Sequence, residues 1–362
     1  GHEDRVIAVT TVVTPDGRTL AVTGSWDGTV RVWDLNSGEQ DGQPLTDDDT
    51  GDVDDPGDVL AVAAVVAPDG RTLAVTGSDD RTVRVWDLAT GEQMSKLIGH
   101  EDRVVSVATV VTPEGRTLAV TGSDDRTVRL WDLNTREQVG QPLTDDDTGG
   151  RVVAVAAVVT PDGRTLAVTG SWLGAVLVWD LNTGKQVGQP LTDLGRHEVT
   201  VTTVVTPDGR TLAVTGSEDG IVRVWDLNTG KQVGRPLTDL GRHEVTVATV
   251  VTPDGRTLAV TGGDDRTVRV WDLNTREQVG RPLTGHEDRV IAMATVVTPA
   301  GRTLAATGSG NRVVRVWDLE PRRTLRLKLP QPGPVRSLTV VQDHNRTGIL
   351  TAGRGIALTW IT

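Results

Sequence analysis

The stretch TGSWDGTVRVWDL, residues 23–35, decides the fold, because the chain repeats it with small changes along its length. Its closing Trp33–Asp34 pair recurs at Trp86, Trp131, Trp179, Trp225, Trp271 and Trp317, with a period of about 46 residues. A degenerate last copy, GIALTWIT, carries Trp360. Each unit reads as three short runs rich in Val, Thr, Ile and Leu, such as VIAVTTVV, RTLAVTGS and TVRVWDL. TPDG separates the first two runs, and DG or DR separates the next two. Proline followed by Asp-Gly presets a tight turn, and a two-residue connection joins neighbouring antiparallel strands. A weaker fourth run such as EQVGQPLT follows an NTG or NTR turn, so every unit reads as four short strands.

Runs such as VIAVTTVVT are apolar throughout, with Thr as the polar member. A sheet with one wet face would alternate, so these sheets must be covered on both faces. The first run is built from small residues, which suits a strand crowded near an axis. The fourth carries Glu, Gln, Gly and Pro, which suits an outer edge. Radially stacked four-stranded antiparallel blades meet these demands, and the expected fold is an all-β propeller. Eight Trp-bearing third runs account for the whole length. Eight blades are therefore expected, with seven, the number of Trp-Asp pairs, as the alternative. The expected blades span about 1–46, 53–98, 99–144, 150–192, 193–238, 239–284, 285–329 and 334–362, in one domain over 1–362. The last blade has PVRSLTVV, TGILTAG and GIALTWIT but no fourth run. Its third strand should expose unpaired backbone groups and favour edge-mediated self-association through blade eight.

Composition narrows the function classes. With no cysteine among 362 residues, there is no disulfide framework, thiolate metal site or thiol nucleophile, which suits a reducing compartment, expected to be the cytoplasm. No run of ~18 apolar residues would span a membrane. A net charge of −12 argues against nucleic-acid binding, which needs a basic face. The chain opens on GHEDRV without a Met start or a leader pattern, so it reads as a piece of a larger multidomain chain.

The Trp-Asp pairs at near-constant spacing, with GHEDR ahead of three first runs, resemble the WD40-repeat β-propeller family along essentially the whole chain. The near-identical repeats are similar to bacterial arrays of that family. The resemblance implies that the first strand of each blade is innermost and the fourth outermost. It also implies a hydrogen-bonded structural tetrad of His, Ser/Thr, Asp and Trp. His2, Thr23, Asp27 and Trp33 match it, as do His100, Thr121, Asp125 and Trp131. A third set has His286, Thr307 and Trp317 but Asn311 in place of the Asp. His197 and His243 lie closer to their turn prolines, and the second, fourth and eighth units lack the histidine. The fourth unit also has Leu173 for the turn Asp. Only a few blades are thus expected to carry the polar staple, with the others relying on apolar packing.

Ten Trp with no Phe or Tyr make each aromatic placement informative. Trp33 and its equivalents read as packing between blades. Trp26 and Trp172 instead occupy the residue before the second turn, where other units have Asp79, Asp124, Glu218, Asp264 and Gly310. Mostly acidic occupants mark the position as solvated, so an aromatic there is not required by the fold. By resemblance this turn lies on the channel rim where partners dock, and exposed Trp is a favoured binding anchor. The Asp-rich loops DDDTGDVDDPGD (47–58) and DDDTGG (145–150) would lie on the same face. No calcium-loop spacing fits either, so they read as solvated insertions. An acidic, Trp-bearing face would steer basic partners.

The expected function is a scaffold that binds a protein or peptide, with no catalytic, metal or cofactor residues. The alternatives are a purely structural repeat array, or ligand or sugar binding or catalysis at the central channel. The basic run Arg322, Arg323, Arg326 and Lys328 reads as a protective outer edge of the seventh unit.

Overall fold

In the computed structural model, the described residues are 2–46, 57–144, 150–191, 199–239, 245–320, 326–331, 334–343, 346–353 and 355–361. The repeated unit folds as its periodicity requires. Blade 1 comprises strands Val6–Val13, Thr19–Ser25, Val30–Asp34 and Glu39–Gln40, hydrogen-bonded in that order. Blade 2 follows with Val59–Val66, Thr72–Ser78, Val83–Asp87 and Gln93–Leu97, and blade 3 with Val104–Val111, Thr117–Ser123, Thr127–Asp132 and Glu137–Gln138. In blade 4 the inner three strands are Val152–Val159, Thr165–Ser171 and Val176–Asp180; in blade 5 they are Val199–Val205, Thr211–Ser217 and Ile221–Asp226. Blade 6 has Val245–Val251, Thr257–Gly263 and Val268–Asp272, its outer segment joined by single bridges from Gln278 and Leu283. Blade 7 ends in a regular outer strand, Arg326–Pro330, beside Val313–Asp318. Blade 8 has Ser337–Asp343, Arg346–Ala352 and Ile356–Trp360, with no fourth strand among the described residues.

The first strands pack on one another in chain order, and that of blade 1 packs on that of blade 8, so the eight-bladed ring is closed. Val6 N–H donates to the Gly353 carbonyl at 2.8 Å across this seam. Threonines of the first strands also lace neighbouring blades: Thr109 Oγ1 donates to the Ala64 carbonyl at 3.2 Å, and Thr295 Oγ1 to that of Thr249 at 2.8 Å. The second strands of the first seven blades are buried along their whole length, as sheets covered on both faces must be. Their recurring TGS or TGG motif has a packing cause. A Cβ on Gly24 would lie 2.5 Å from Val59 Cγ1 of the next blade, so only glycine lets that first strand approach.

The blade interfaces follow one rule. From blade 2 to blade 7, the Trp of the Trp-Asp pair packs against the preceding blade, including a leucine from that blade's outer segment: Trp86 with Leu45, Trp131 with Leu97, Trp179 with Leu143, and so on to Trp317 with Leu283. The paired Asp closes the following turn. Asp132 Oδ1 accepts the Asn134 and Thr135 amides at 2.9 and 3.2 Å, and its Oδ2 accepts Arg116 Nη2–H at 2.9 Å.

The register of blade 8 corrects one expectation. Trp360 stands opposite Gly348, which is the place of Asp34 opposite Leu20 in blade 1. Thr359, opposite Ile349, occupies the tryptophan position. A one-residue offset turns a side chain to the other face of a sheet, so Trp360 is not an eighth copy of the interblade Trp. Its ring instead lies under the Arg346 guanidinium, 4.3 Å from the ring centroid.

Candidate functional site: the channel rim

The polar staple is more widespread than the histidines suggest. In all seven blades with a Trp-Asp pair, the indole N–H donates to the second-strand Thr hydroxyl, at 2.8–3.1 Å. In blade 1, His2 Nε2 lies 2.8 Å from Thr23 Oγ1 and His2 Nδ1 lies 3.0 Å from Asp27 Oδ2. The carboxylate can only accept, so Nδ1 carries the proton and Nε2 accepts the Thr23 hydroxyl. Asp27 also accepts the Glu3 amide at 2.7 Å and the Thr29 hydroxyl at 2.7 Å. Burial pushes the Asp27 carboxyl up, but these hydrogen bonds and His2 outweigh it and leave the pKa at about 2. Burial lowers the His2 pKa against the opposing pull of Asp27. Blade 3 repeats the arrangement, with His100 2.8 Å from Asp125 and 2.7 Å from Thr121. Asp125 is held below the usual range: burial raises it, and hydrogen bonds from His100, the Glu101 amide and Thr127 overcome that.

Blade 7 breaks the chain of contacts. His286 Nε2 reaches Thr307 at 2.8 Å, but Asn311 Oδ1 accepts from Ser309 at 2.9 Å. The buried His286 Nδ1 has no hydrogen-bond partner among the described residues. Burial, with Arg315 nearby, lowers the His286 pKa to about 4.

Blades 2, 5 and 6 correct the expectation that units without a well-placed histidine rely on apolar packing. Their third-strand arginine, two residues before the Trp, turns back to the turn aspartate. Arg84 pairs with Asp80, Arg223 with Asp219 at 3.4 Å, and Arg269 with Asp265 at 3.3 Å. Where histidine already holds the aspartate, the equivalent arginine turns outward: Arg31 donates to Gln40 at 2.7 Å and Arg129 to Gln138 at 2.6 Å. Blade 4 has neither member, since Leu173 stands for the aspartate and Leu177 for the arginine. The identity of every residue was visible in the repeat alignment; the pairing across four residues was the overlooked signal. His197 and His243 lie outside the described residues, as do Arg322, Arg323, 47–56 and 145–149 of the two Asp-rich loops.

The residue before each turn aspartate lies where the loop enters the first strand. Trp26 N–H donates to the Arg5 carbonyl at 3.0 Å, Asp79 to Asp58 at 3.1 Å, Asp124 to Arg103 at 3.0 Å and Trp172 to Arg151 at 2.9 Å. These turns are thus brought to the start of the innermost strands, at one end of the channel. Trp26 is 37% exposed and Trp172 55%. Arg5 lies over the Trp26 ring, 4.8 Å from its centroid, and covers part of it. The acids are less exposed than the position's composition implied. Asp124 is buried, accepting Arg103 Nη2–H at 2.6 Å and Nε–H at 2.9 Å, with Arg151 Nη1 3.9 Å away. Asp79, Glu218 and Asp264 are half-buried and engaged in polar interactions. No group of His, Asp and Glu suited to a metal ion occurs among the described residues.

A second feature is a pocket of about 230 Å³ at the seam of blades 8 and 1, lined by residues that include His2, Trp33, Leu350, Ile356 and Leu358. Trp33 is only half-buried there, unlike the other six Trp-Asp tryptophans. It faces the one blade without an outer leucine among the described residues.

Residues 1–34, 51–87, 91–132, 188–226, 234–272 and 277–318 match the sequence model of the family described as WD domain, G-beta repeat. The chain is 34% identical to a "Periodic tryptophan protein 2 homolog" of Schizosaccharomyces pombe over 28% of this chain and 10% of that protein. It is 33% identical to a "Ribosome biogenesis protein WDR12 homolog" of Culex quinquefasciatus over 28% of this chain and 25% of that protein. A "Nuclear distribution protein PAC1" of Coccidioides posadasii is 34% identical over 28% and 20%. The matched stretches span no more than a quarter of these relatives. In fold, the chain is similar to the crystal structure of the computationally designed Ika8 protein, with a TM-score of 0.73 and 24% identity over 100% of this chain and 98% of that one.

Proposed function

Because the chain belongs to the WD40 family of G-beta repeats, we propose that it is a protein- or peptide-binding scaffold whose docking face is the Trp-bearing channel rim. WD40 propellers are in general interaction scaffolds rather than enzymes, and that generality sets the class. The observation that carries the specific reading is the pair Trp26 and Trp172. They occupy one repeated turn position, and both keep exposed rings that no blade interface uses. Aromatic side chains on a rigid, desolvatable edge are favoured anchors for a partner. A place for this propeller in a longer chain is part of the same reading; the matched stretches cover 10% and 25% of the first two relatives. A bacterial source is supported by the Val/Thr/Asp/Arg/Gly-heavy composition alone, and the relatives named above are eukaryotic.

The rim charge is mixed. Asp79, Glu218 and Asp264 lie in blades 2, 5 and 6, and with the net charge of −12 they support a basic partner there. Asp124 does not contribute, because two guanidiniums enclose it.

Selection of peptides from a displayed library against the immobilised protein tests the proposal. Peptides so selected should lose at least tenfold in affinity for the Trp26→Ala/Trp172→Ala protein. They should keep their affinity for Arg18→Gln, a change at the opposite end of the blade. Equal binding to the double variant and the parent would overturn the rim assignment.

A further inference from the structure

Resting on the rim reading, we infer that the sector formed by blades 3 and 4 is a docking spot for a short segment that places an apolar side chain beside a carboxylate. Blade 4 is the one Trp-Asp blade whose turn has lost its whole charged set. Leu173 replaces the aspartate, Ala175 the adjacent threonine of blades 1, 2, 3 and 6, and Leu177 the arginine. The loss leaves no ion pair to be shielded under this turn. Trp172 stands at its tip with 55% of its surface exposed, and the described residues place no guanidinium over its ring as Arg5 lies over Trp26. The sector therefore presents an uncovered apolar knob.

A cationic pair lies beside it. Arg151 directly precedes the first strand of blade 4, and its carbonyl accepts the Trp172 amide. Arg103 occupies the same place ahead of blade 3. Both guanidiniums converge on one carboxylate, Asp124, at 2.6 Å and 3.9 Å. The carboxylate side chain is 6% exposed, whereas the Arg103 and Arg151 side chains are 50% and 58% exposed. One buried negative charge thus faces two solvated positive ones. Each guanidinium has five donors in a planar fork, so N–H groups remain for a second, incoming carboxylate.

The net charge is −12, but its field decays over a Debye length of about 8 Å at physiological ionic strength, so contact charges decide the sign at the spot. Partner chemistry follows from the pairing: the aromatic or aliphatic side chain covers Trp172 and Leu173, and an Asp or Glu beside it takes Arg151 and Arg103. Three blades from Trp172, Trp26 lacks this arrangement, being already stacked with its own arginine.

The test uses three fluorescein-labelled, end-blocked peptides and anisotropy titration at low and physiological salt. The probe is Ser-Asp-Glu-Phe-Leu-Asp-Ser; one control replaces its acids by Lys, and the other replaces Phe-Leu by Ser-Ser. The expected result is binding of the probe alone, weakened at least tenfold by Trp172→Ala and at least fivefold by Arg151→Gln. Arg18→Gln, at the opposite end of the blade, should leave it within twofold, and melting curves should show all variants folded. No binding of the probe, or equal or tighter binding of the Lys control, overturns the inference. If library-selected peptides depend on Trp26 and not on Trp172, the rim scaffold stands and this sector falls. If they depend on neither tryptophan, both fall.

Discussion

Arg223 reaches back across its turn to Asp219, 3.4 Å away, whereas the same two positions in blade 4 are Leu177 and Leu173. Both members of the pair have been lost together, and the physical reason is the burial of the arginine. Arg223 is 5% exposed, so a guanidinium there that loses Asp219 gives up an ion pair where water does not readily replace it. Asp219→Leu should therefore lower stability by about 3 kcal/mol. Asp219→Leu/Arg223→Leu, which copies blade 4, should recover to within ~1 kcal/mol of the parent. Guanidinium unfolding of the four proteins in this cycle measures the coupling. Additive single-variant losses would show that the arginine is held by something other than Asp219.

His286, whose buried Nδ1 has no hydrogen-bond partner among the described residues, makes blade 7 acid-sensitive. Its folded pKa is about 4 against an ordinary 6.5. An unfolded chain takes up this proton as pH falls through 6.5, and the folded protein does not until about 4. The histidine's contribution to stability is therefore whole above pH 6.5, declines from there to pH 4, and is constant below. The loss is at most about 3 kcal/mol. Asn311→Asp supplies the carboxylate that His2 and His100 already have. It should raise the melting temperature at neutral pH and flatten the decline between pH 6.5 and 4.5. Below that window Asp27 adds its own loss in the same direction, as pH falls from 3.8 through about 2. An unchanged slope in Asn311→Asp would show that the new carboxylate does not reach Nδ1.

Much of this architecture was legible in the sequence because it is repeated seven times over. The period gave the blades, and the apolar TLAVTGS runs gave second strands buried on both faces, whereas first runs such as VIAVTTVV are mostly half-buried. What escaped was relational. The register of Trp360 depends on where blade 8 begins its third strand, and a one-residue offset leaves no mark in a motif search. The arginine in TVRVWDL carries no motif of its own, and its pairing rests on standing four residues after the turn aspartate. Asp124 looked solvated because acids at that position are common, yet two arginines 48 residues apart in sequence converge on it.

The two classes of tryptophan should separate cleanly. Trp131 is buried, donates to Thr121 at 2.9 Å and packs against Leu97 of blade 2, so Trp131→Ala should cost ~3–5 kcal/mol or prevent folding. Trp26→Ala and Trp172→Ala together should change stability by less than about 1 kcal/mol, as changes outside the core do. Differential scanning calorimetry of the three proteins decides the point. A double variant that melts many degrees lower would place both rings in the core and remove them as binding anchors.

The seam between blades 8 and 1 yields the last expectation. Every other interblade Trp meets an outer-segment leucine, and the register of that leucine repeats: Leu45 opposite Val30, Leu97 opposite Val83, Leu143 opposite Val128. Transferred to blade 8, the rule puts a leucine opposite Ile356, in the pocket of about 230 Å³ against the half-buried Trp33. A glutamine five residues earlier would face Thr359, as Gln138 faces Trp131. A synthetic peptide with the chain's own outer sequence, EQVGQPLT, satisfies both positions. Added at millimolar concentration, it should raise the melting temperature and slow amide hydrogen exchange within Ile356–Trp360, since binding the folded state alone is stabilising. The same peptide with Asp for Leu should do neither, because the pocket wall is apolar where the leucine would lie. Protection that is equal with both peptides would mean that the edge pairs through its backbone without the leucine pocket. No protection with either would mean that blade 8 does not accept a strand at this edge.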